Sequence, residues 1–415
     1  MRENMVTLTP IDAIPEVVDD EFVASFRRSL HQYTHANPVH LRKYLPKDFV
    51  LDILRRTQAI VAKEATLVEI IPDHTDPDVV VVGDTHGQFH DVCELFRVAG
   101  DPSQSKRYIV NGDMVDRGAW GLETLLLFCV HKLKMPDHMH IIRGNHETAT
   151  CAIMYGFKQE VETKYGKTAG KSIFAACKQL FKALPLAALI SRNTLVLHGG
   201  LFRHTARAGQ KRKHTGDFVV GSIDDLRHGS KGGLDPSGFG QSKLAADVLW
   251  SDPAKESGFK ENDGRGIGMV FGPEVTECFL RENKLKLIIR SHEGPDAREA
   301  RPEMPNMLEG YTTDHETSEG VLMTVFSAPD YPQFINPDAS RYKNKAAVFI
   351  LKAPDYINPE IRQFEAVLPR PHVTPYYDLD VPDSDSDEFE QLGADVSGMS
   401  DTSHTAGIEG EEVAS

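Results

Sequence analysis

The sequence predicts an α/β fold organised around residues 79–147, and three observations predict it. First, the stretches VVVVGDTHGQ, YIVNGDMVDRG and MHIIRGNHE each run an apolar segment into a cluster of Gly, Asp, Asn or His. Runs rich in β-branched residues and bounded by Gly-Asp are what strands buried on both faces look like. Second, residues 94–98 and 122–133 are apolar at helical spacing, so the order is strand, helix, strand, helix, strand. Third, TLVLHGG and LKLIIRSHEG, much later in the chain, repeat the design of a strand emptying into polar residues. In such a sheet the carboxyl ends of neighbouring strands meet at one crevice, which would gather Asp84, His86, Asp113, Asp116, Arg117, Asn145 and His146.

Each element follows from local pattern. Residues 19–33 carry Phe22, Phe26 and Leu30 on one helical stripe, preceded by acids that suit a helix N-terminus. A second helix is expected at 48–63, after the break at Pro46, and residues 1–44 read as a helical extension packed on the main domain. A short extended segment, 68–71, comes before the turn PDHTDPD. Residues 148–184 read as helical, followed by strands at 186–190 and 194–197. Residues 203–216 and 228–242 have the Gly, Ser and charge content of loops. Further strands are expected at 321–327, 346–351 and 364–367. Strand pairs dominate this half, so a second, more mixed sheet is expected against the first. Beyond Pro369 the apolar periodicity ends, and residues 371–415 read as an acidic, disordered tail.

Composition narrows the partners. The 415 residues, 40% apolar, can bury a large core, and the net charge of −15 is concentrated at one end. Residues 376–415 hold twelve acids and no Lys or Arg, which leaves −3 for residues 1–375. A near-neutral body argues against nucleic acid as a partner, because phosphate-backbone binding needs a basic face. Five scattered Cys without CxxC spacing read as reduced thiols of an intracellular protein, nuclear or cytoplasmic. No apolar stretch approaches eighteen residues, so no membrane partner is expected.

Asp84 and His86 alone would fit a turn or a cap, and an Asn145-His146 pair is weaker still. Their conjunction with Asp113, His198 and His292, each after an apolar run, is what two divalent transition metals require: oxygen and imidazole donors together. A carboxylate shared by two ions holds them about 3.5–4 Å apart, the spacing of two-metal phosphoryl chemistry.

GDTHGQ, GDMVDRG, RGNHE, HGG, WSDP, RGIG, RSHE and SAPDY, in that order, resemble the motif series of the PPP family of metal-dependent serine/threonine protein phosphatases. The resemblance spans roughly residues 45–370 and is closest to the plant protein phosphatase 7 group, with loop insertions at about 203–242 and 296–320. It implies a calcineurin-like metallophosphoesterase fold: a central β-sandwich of two mixed sheets flanked by helices, with a dinuclear metal site at the strand ends. It further implies manganese, or iron plus zinc, held first by Asp84, His86 and Asp113 and second by Asp113, Asn145, His198 and His292. A metal-bridging hydroxide would attack the phosphorus of a phosphoprotein substrate. Arg117 and Arg265 would clamp the phosphate, His146 would be the general acid oriented by Asp116, and Tyr331 would wall the centre.

The family commonly has Asn and then Cys where this chain has Asp330 and Pro332, so Asp330 is expected to place a negative charge near the phosphate. The run Arg203, Arg207, Lys211, Arg212 and Lys213 could hold a regulatory protein, calmodulin among the candidates, although it makes a poor amphipathic helix. His204, His214 and His228 read as solvated, and Trp250 as core. A nucleotide-directed phosphoesterase and a catalytically weak scaffold are the competing readings.

Overall fold

The computed structural model describes residues 9–71, 77–204, 218–336 and 339–379. Its strands, in chain order, are β1 (Leu67–Ile70), β2 (Asp78–Val82), β3 (Lys106–Asn111), β4 (Met139–Ile142), β5 (Ala187–Ile190), β6 (Thr194–Leu197), three short strands β7 (Asp252–Pro253), β8 (Phe259–Glu261) and β9 (Met269–Phe271), then β10 (Leu287–Arg290), β11 (Tyr311–Glu316), β12 (Val321–Val325), β13 (Ala346–Leu351) and β14 (Glu360–Phe364). They form a six-stranded sheet ordered β1-β5-β6-β10-β12-β11, a five-stranded sheet ordered β14-β13-β2-β3-β4, and a small sheet β7-β9-β8. Within the larger two, β2, β3 and β4 run parallel, as do β6, β10 and β12. Antiparallel neighbours such as β5 with β6 and β13 with β2 make both sheets mixed.

The valine run explains the stacking. Side chains alternate across a strand, so Val79 and Val81 face one way and Val80 and Val82 the other. Val79 and Val81 join Ile190, Val196, Ile289 and Phe349 in an apolar layer between the two sheets. Val80 and Val82 meet the helical layer outside. Burying each valine is worth about 1.5–3 kcal/mol, so a charge at Val81 would be expelled from the sandwich and break it.

Eight helices contribute to that outer layer: α1 (Asp20–Tyr33), α2 (Leu41–Tyr44), α3 (Lys47–Val61), α4 (Phe89–Ala99), α5 (Gly121–Lys134), α6 (Ala149–Met154), α7 (Phe157–Tyr165) and α8 (Lys167–Phe181). The Asp19 carboxylate accepts from the Phe22 amide at 2.8 Å and caps α1. Phe26 and Leu30 on α1 share a core with Leu125 and Leu126 of α5, so the N-terminal helix is part of the body. The far face of the six-stranded sheet is covered by α9 (Ile223–His228), α10 (Lys243–Trp250) and α11 (Pro273–Asn283). A short α12 (Pro295–Glu299) follows β10.

Several expectations need correction. The segment 296–320, read as a loop, holds most of α12 and all of β11, an edge strand of the six-stranded sheet. A register shift between Thr313 and His315 breaks the period-two pattern that would have revealed it. The strand expected at 364–367 is β14, whose charged Glu360 and Arg362 hide it. Within 228–242 the loop reading stands apart from His228, the last residue of α9, and one short 3-10 turn; α9 itself is capped by Ser222 and Asp225. Residues 371–379 also differ from the tail expected there: Val373, Tyr376, Tyr377 and Leu379 pack on the core. Residues 380–415, most of the basic run and His214 lie outside the described residues. None of the five cysteines is in a disulfide, and three of them are buried. Among the described residues no helix is long and apolar enough to cross a membrane.

Candidate active site

Strand ends of both sheets meet at one edge. Asp84 and His86 follow β2, Asp113, Asp116 and Arg117 follow β3, and Asn145 and His146 follow β4. From the other sheet, His198 follows β6, His292 follows β10 and Tyr331 comes after β12. An isolated bridge, Asp84 to Phe326, ties the sheets together here. The approach is too close for side chains: a Cβ on Gly83 would meet the Val325 carbonyl oxygen at 2.2 Å. His86, Asp113, Asp116, Arg117 and His292 all have positive φ, between 41° and 77°, a backbone region that L-residues rarely occupy. Five candidate residues sharing this strain is the pattern of a built site.

Nitrogen and oxygen atoms able to coordinate an ion converge here. His198 Nδ1 lies 2.7 Å from the Asn111 carbonyl and donates to it, so Nε2 is the nitrogen turned toward Asn145 Oδ1, at 2.9 Å. His292 Nδ1 is 3.0 Å from the same oxygen, and Asp113 Oδ1 is 3.4 Å from His198 Nε2. His86 Nδ1 donates to the Val115 carbonyl at 3.1 Å, leaving Nε2 3.7 Å from Asp113 Oδ2. Two groups of donors, His86 with Asp113 and His146, and Asp113 with His198 and His292, each lie within 4.8 Å of one another. Asp113 belongs to both. Asp84 sits beside them, its carboxylate accepting from the His292 amide at 3.0 Å.

The charges demand a cation. Burial, then Asp113, pushes the Asp84 carboxyl well above its usual range. Burial would lower the His198 pKa, yet Asp113 and Asp84 outweigh it and lift it to about 9. The proton drawn there is charge that a divalent ion would supply. Burial and His146 push His86 down to about 3, and burial drives His292 well below its usual value, so both rings are neutral ligands. Neutral imidazoles, an amide oxygen and carboxylates fit a pair of divalent transition ions.

Beside this cluster is a polar cavity of about 50 Å³, lined by His86, Asp113, Asn145, His292, His146, Arg117, Arg265 and Tyr331. His146 Nδ1 meets Asp116 Oδ2 at 2.8 Å. Burial pushes Asp116 well above the usual range, opposed by the Phe157 amide at 2.9 Å and by Arg117. Arg265 is held by Asp252, Nε to Oδ2 at 2.6 Å, and the Tyr331 ring lies 5.1 Å from that of His86.

A family described as calcineurin-like phosphoesterase matches residues 77–296. Serine/threonine-protein phosphatase 7 of Arabidopsis thaliana is 45% identical over 372 residues, 86% of this chain and 89% of that protein. The chain belongs to the PPP family of calcineurin-like phosphoesterases. Human serine/threonine-protein phosphatase 5 is 36% identical over 361 residues, 87% of this chain and 62% of that protein. A solved Saccharomyces cerevisiae protein serine/threonine phosphatase, described as similar to human PP5, superposes with a TM-score of 0.64 at 32% identity, covering 83% of this chain and 98% of that one.

This phosphoesterase also uses residues that the sequence reading passed over. Tyr155 lines the cavity, with the Arg117 guanidinium carbon 4.0 Å from its ring centroid. Glu147 accepts from the amides of Asp113, Met114 and Gly144 at 2.8–3.0 Å and so shapes two ligand turns at once. Asp252 holds both Arg265 and Arg290; burial opposes its ionisation, but the two arginines keep its pKa at about 2. WSDP and RGNHE contain the last two residues, whereas Tyr155 carries no local signal beyond an aromatic beside a helix.

Three expectations about charge are corrected. Asp330 does not line the cavity; Arg341 Nε sits 2.8 and 2.9 Å from its two carboxylate oxygens. Arg203 is buried against Asp247 and Glu261. His204, read as solvated, meets Asp225 at 3.0 Å, while His228 is exposed as expected. Trp250 is core, and its ring also stands edge-on to His292.

Proposed function

We propose that this protein hydrolyses phosphoserine and phosphothreonine in phosphoproteins, with two divalent cations at the strand ends and His146 as general acid. The names of its relatives support this reading, and one observation carries it: the 2.8 Å contact of His146 with Asp116 beside Arg117, Arg265 and the donor cluster. Asp84, His86 and Asp113 would hold one ion, and Asp113, Asn145, His198 and His292 the other. Manganese, or iron plus zinc, would there acidify water and draw charge from the phosphoryl oxygens.

The chain's own side chains do the rest. Asp116 takes the Nδ1 hydrogen bond of His146, which orients the ring. Nε2, 4.0 Å from Asp113 Oδ2, is then turned toward the cluster and delivers a proton to the departing serine or threonine oxygen. Arg117 and Arg265 present planar forks to phosphoryl oxygens as charge shifts among them. Tyr331 closes one wall. Cysteines held outside any disulfide support an intracellular setting, nuclear or cytoplasmic. A regulatory protein at 203–242, calmodulin included, would bind without Arg203, whose guanidinium is engaged inside the fold.

The test compares turnover of a phosphoserine peptide with that of a diadenosine polyphosphate, both with added manganese. The peptide is expected to be the better substrate by about 100-fold or more, the scale on which a site built for one leaving group separates it from another. The reverse preference would overturn the reading.

A further inference from the structure

We infer that the protein carries a second, separate metal site, in which His31, His35 and His90 bind a late first-row divalent cation of the zinc class. None of the three belongs to the donor cluster described above. His31 lies in the last turn of α1, His35 follows one turn later, and His90 is the second residue of α4. One nitrogen from each lies within 4.8 Å of the other two. Three imidazoles on one tetrahedral ion stand about 3.3 Å apart for metal-nitrogen distances of about 2.0–2.1 Å. The remaining closure falls to His31 and His35, which are exposed and can rotate.

The tautomer of His90 points the same way. The Thr34 hydroxyl donates to the His31 carbonyl at 2.8 Å, so toward His90 Nε2, at 2.9 Å, it can only accept. His90 Nε2 therefore carries the hydrogen and Nδ1 the lone pair. That Nδ1 is buried without a hydrogen-bond partner, in a side chain whose residue is 4% exposed. A metal ion is one group that satisfies a buried lone pair. The position of the His90 ring is fixed by Trp120, edge to face at 4.5 Å, and the His31 and His35 rings stand edge-on to it at 5.2 and 5.7 Å. Arg370, the cation that opposes charge here, is matched by Asp91 at 2.8 Å.

Imidazole donors select zinc, nickel or copper over magnesium and calcium. A bound ion would tie α1 to the first turn of α4, four residues after His86. Between them Gln88 bonds the Pro329 carbonyl and Asp91, so the clasp would brace the loop that presents His86.

The experiment uses the full chain, stripped with chelator, reloaded with zinc chloride alone and desalted before metal per chain is measured. The comparison is with His31→Ala/His35→Ala, two exposed positions that leave the core and the catalytic cluster intact. Wild type should retain one ion more per chain than the double variant, and zinc should raise its Tm by more. His35→Gln should weaken retention of that extra ion by about tenfold or more. Equal metal content and equal Tm shifts in wild type and double variant would overturn the site. Because the readout is metal content, a protein with no phosphatase activity would still answer the question.

Discussion

The Arg117 guanidinium carbon lies 4.0 Å from the centroid of the Tyr155 ring, and that ring is 5.1 Å from the ring of His146. One tyrosine thus touches both the proposed phosphate clamp and the proposed acid. A cation over an aromatic face gains about 0.5–2 kcal/mol, the upper figure when desolvated. Tyr155→Ala should therefore lower kcat/KM on a phosphoserine peptide by about 2–30-fold, whereas Tyr155→Phe, which keeps the face, should stay near wild type. Steady-state kinetics decide it; equal losses in both variants would assign the effect to the hydroxyl instead of the stack.

The acid is tested by changing the leaving group. His146→Ala should lower kcat by about 10²–10⁴ on phosphoserine. On an aryl phosphate, whose leaving group needs little protonation, the loss should be much smaller. Identical losses on the two substrates would reject His146 as proton donor.

Metal retention separates ligand from acid. Asp113 is common to both donor groups, so Asp113→Asn should lose bound manganese and activity together. His146→Ala should keep its metal while losing turnover. Elemental analysis finding two ions per chain in Asp113→Asn would exclude the shared carboxylate.

Much of this site was legible because each donor directly follows an apolar run: a strand buried on both faces announces itself, and what comes after it lies at a sheet edge. Asp84, Asp113, Asn145, His198 and His292 were all readable in this way. What was not readable depends on distance along the chain. Arg341 neutralises Asp330 from eleven residues away, and Arg370 reaches Asp91 across 279. No local pattern records such pairs. β11 was hidden by its bulge, and Tyr155 by looking like any other buried aromatic.

Away from the site, Lys164 is buried with its Nζ 2.5 Å from Glu123, 2.7 Å from Glu160 and 3.0 Å from the Ala119 carbonyl. Glu160 in turn accepts from the Gly121 and Leu122 amides at the start of α5, where negative charge is favoured. Lys164→Met leaves two buried carboxylates without their cation and should cost about 3–5 kcal/mol of stability. Burial raises the Glu160 pKa from 4.5 to about 7 even with Lys164 beside it. The folded state thus holds that proton more tightly than the unfolded chain. Its contribution is full below pH 4.5 and is lost as pH rises through about 7. Without Lys164 the Glu160 carboxyl becomes harder still to ionise, so the Lys164→Met penalty should grow from pH 5 to pH 8. Chemical denaturation at both pH values checks the sign, and a penalty that shrinks with rising pH would contradict it.

Asp330 was expected to repel a phosphate, and its pairing changes that prediction. Both carboxylate oxygens meet Arg341 Nε, and Arg370 Nη1 is 3.5 Å from one of them. With the Arg341 guanidinium on both its oxygens, and Arg370 shared with Asp91, the carboxylate sends little field into the cavity, because its charge is offset at 2.8 Å. Arg341 does more than neutralise: its Nη2 also donates to the carbonyls of Asp330 at 2.6 Å and Pro332 at 2.8 Å, the two neighbours of Tyr331. Asp330→Asn should therefore leave KM for a phosphoserine peptide within about twofold of wild type at low and moderate salt, since screening acts only on a field that reaches the substrate. Arg341→Ala removes charge-assisted hydrogen bonds worth about 1.5–3 kcal/mol each and should lower both stability and kcat/KM by releasing the turn that carries Tyr331. A salt-dependent, several-fold fall in KM for Asp330→Asn would show that the carboxylate does act on the phosphate, and that Arg341 holds the loop without silencing the charge.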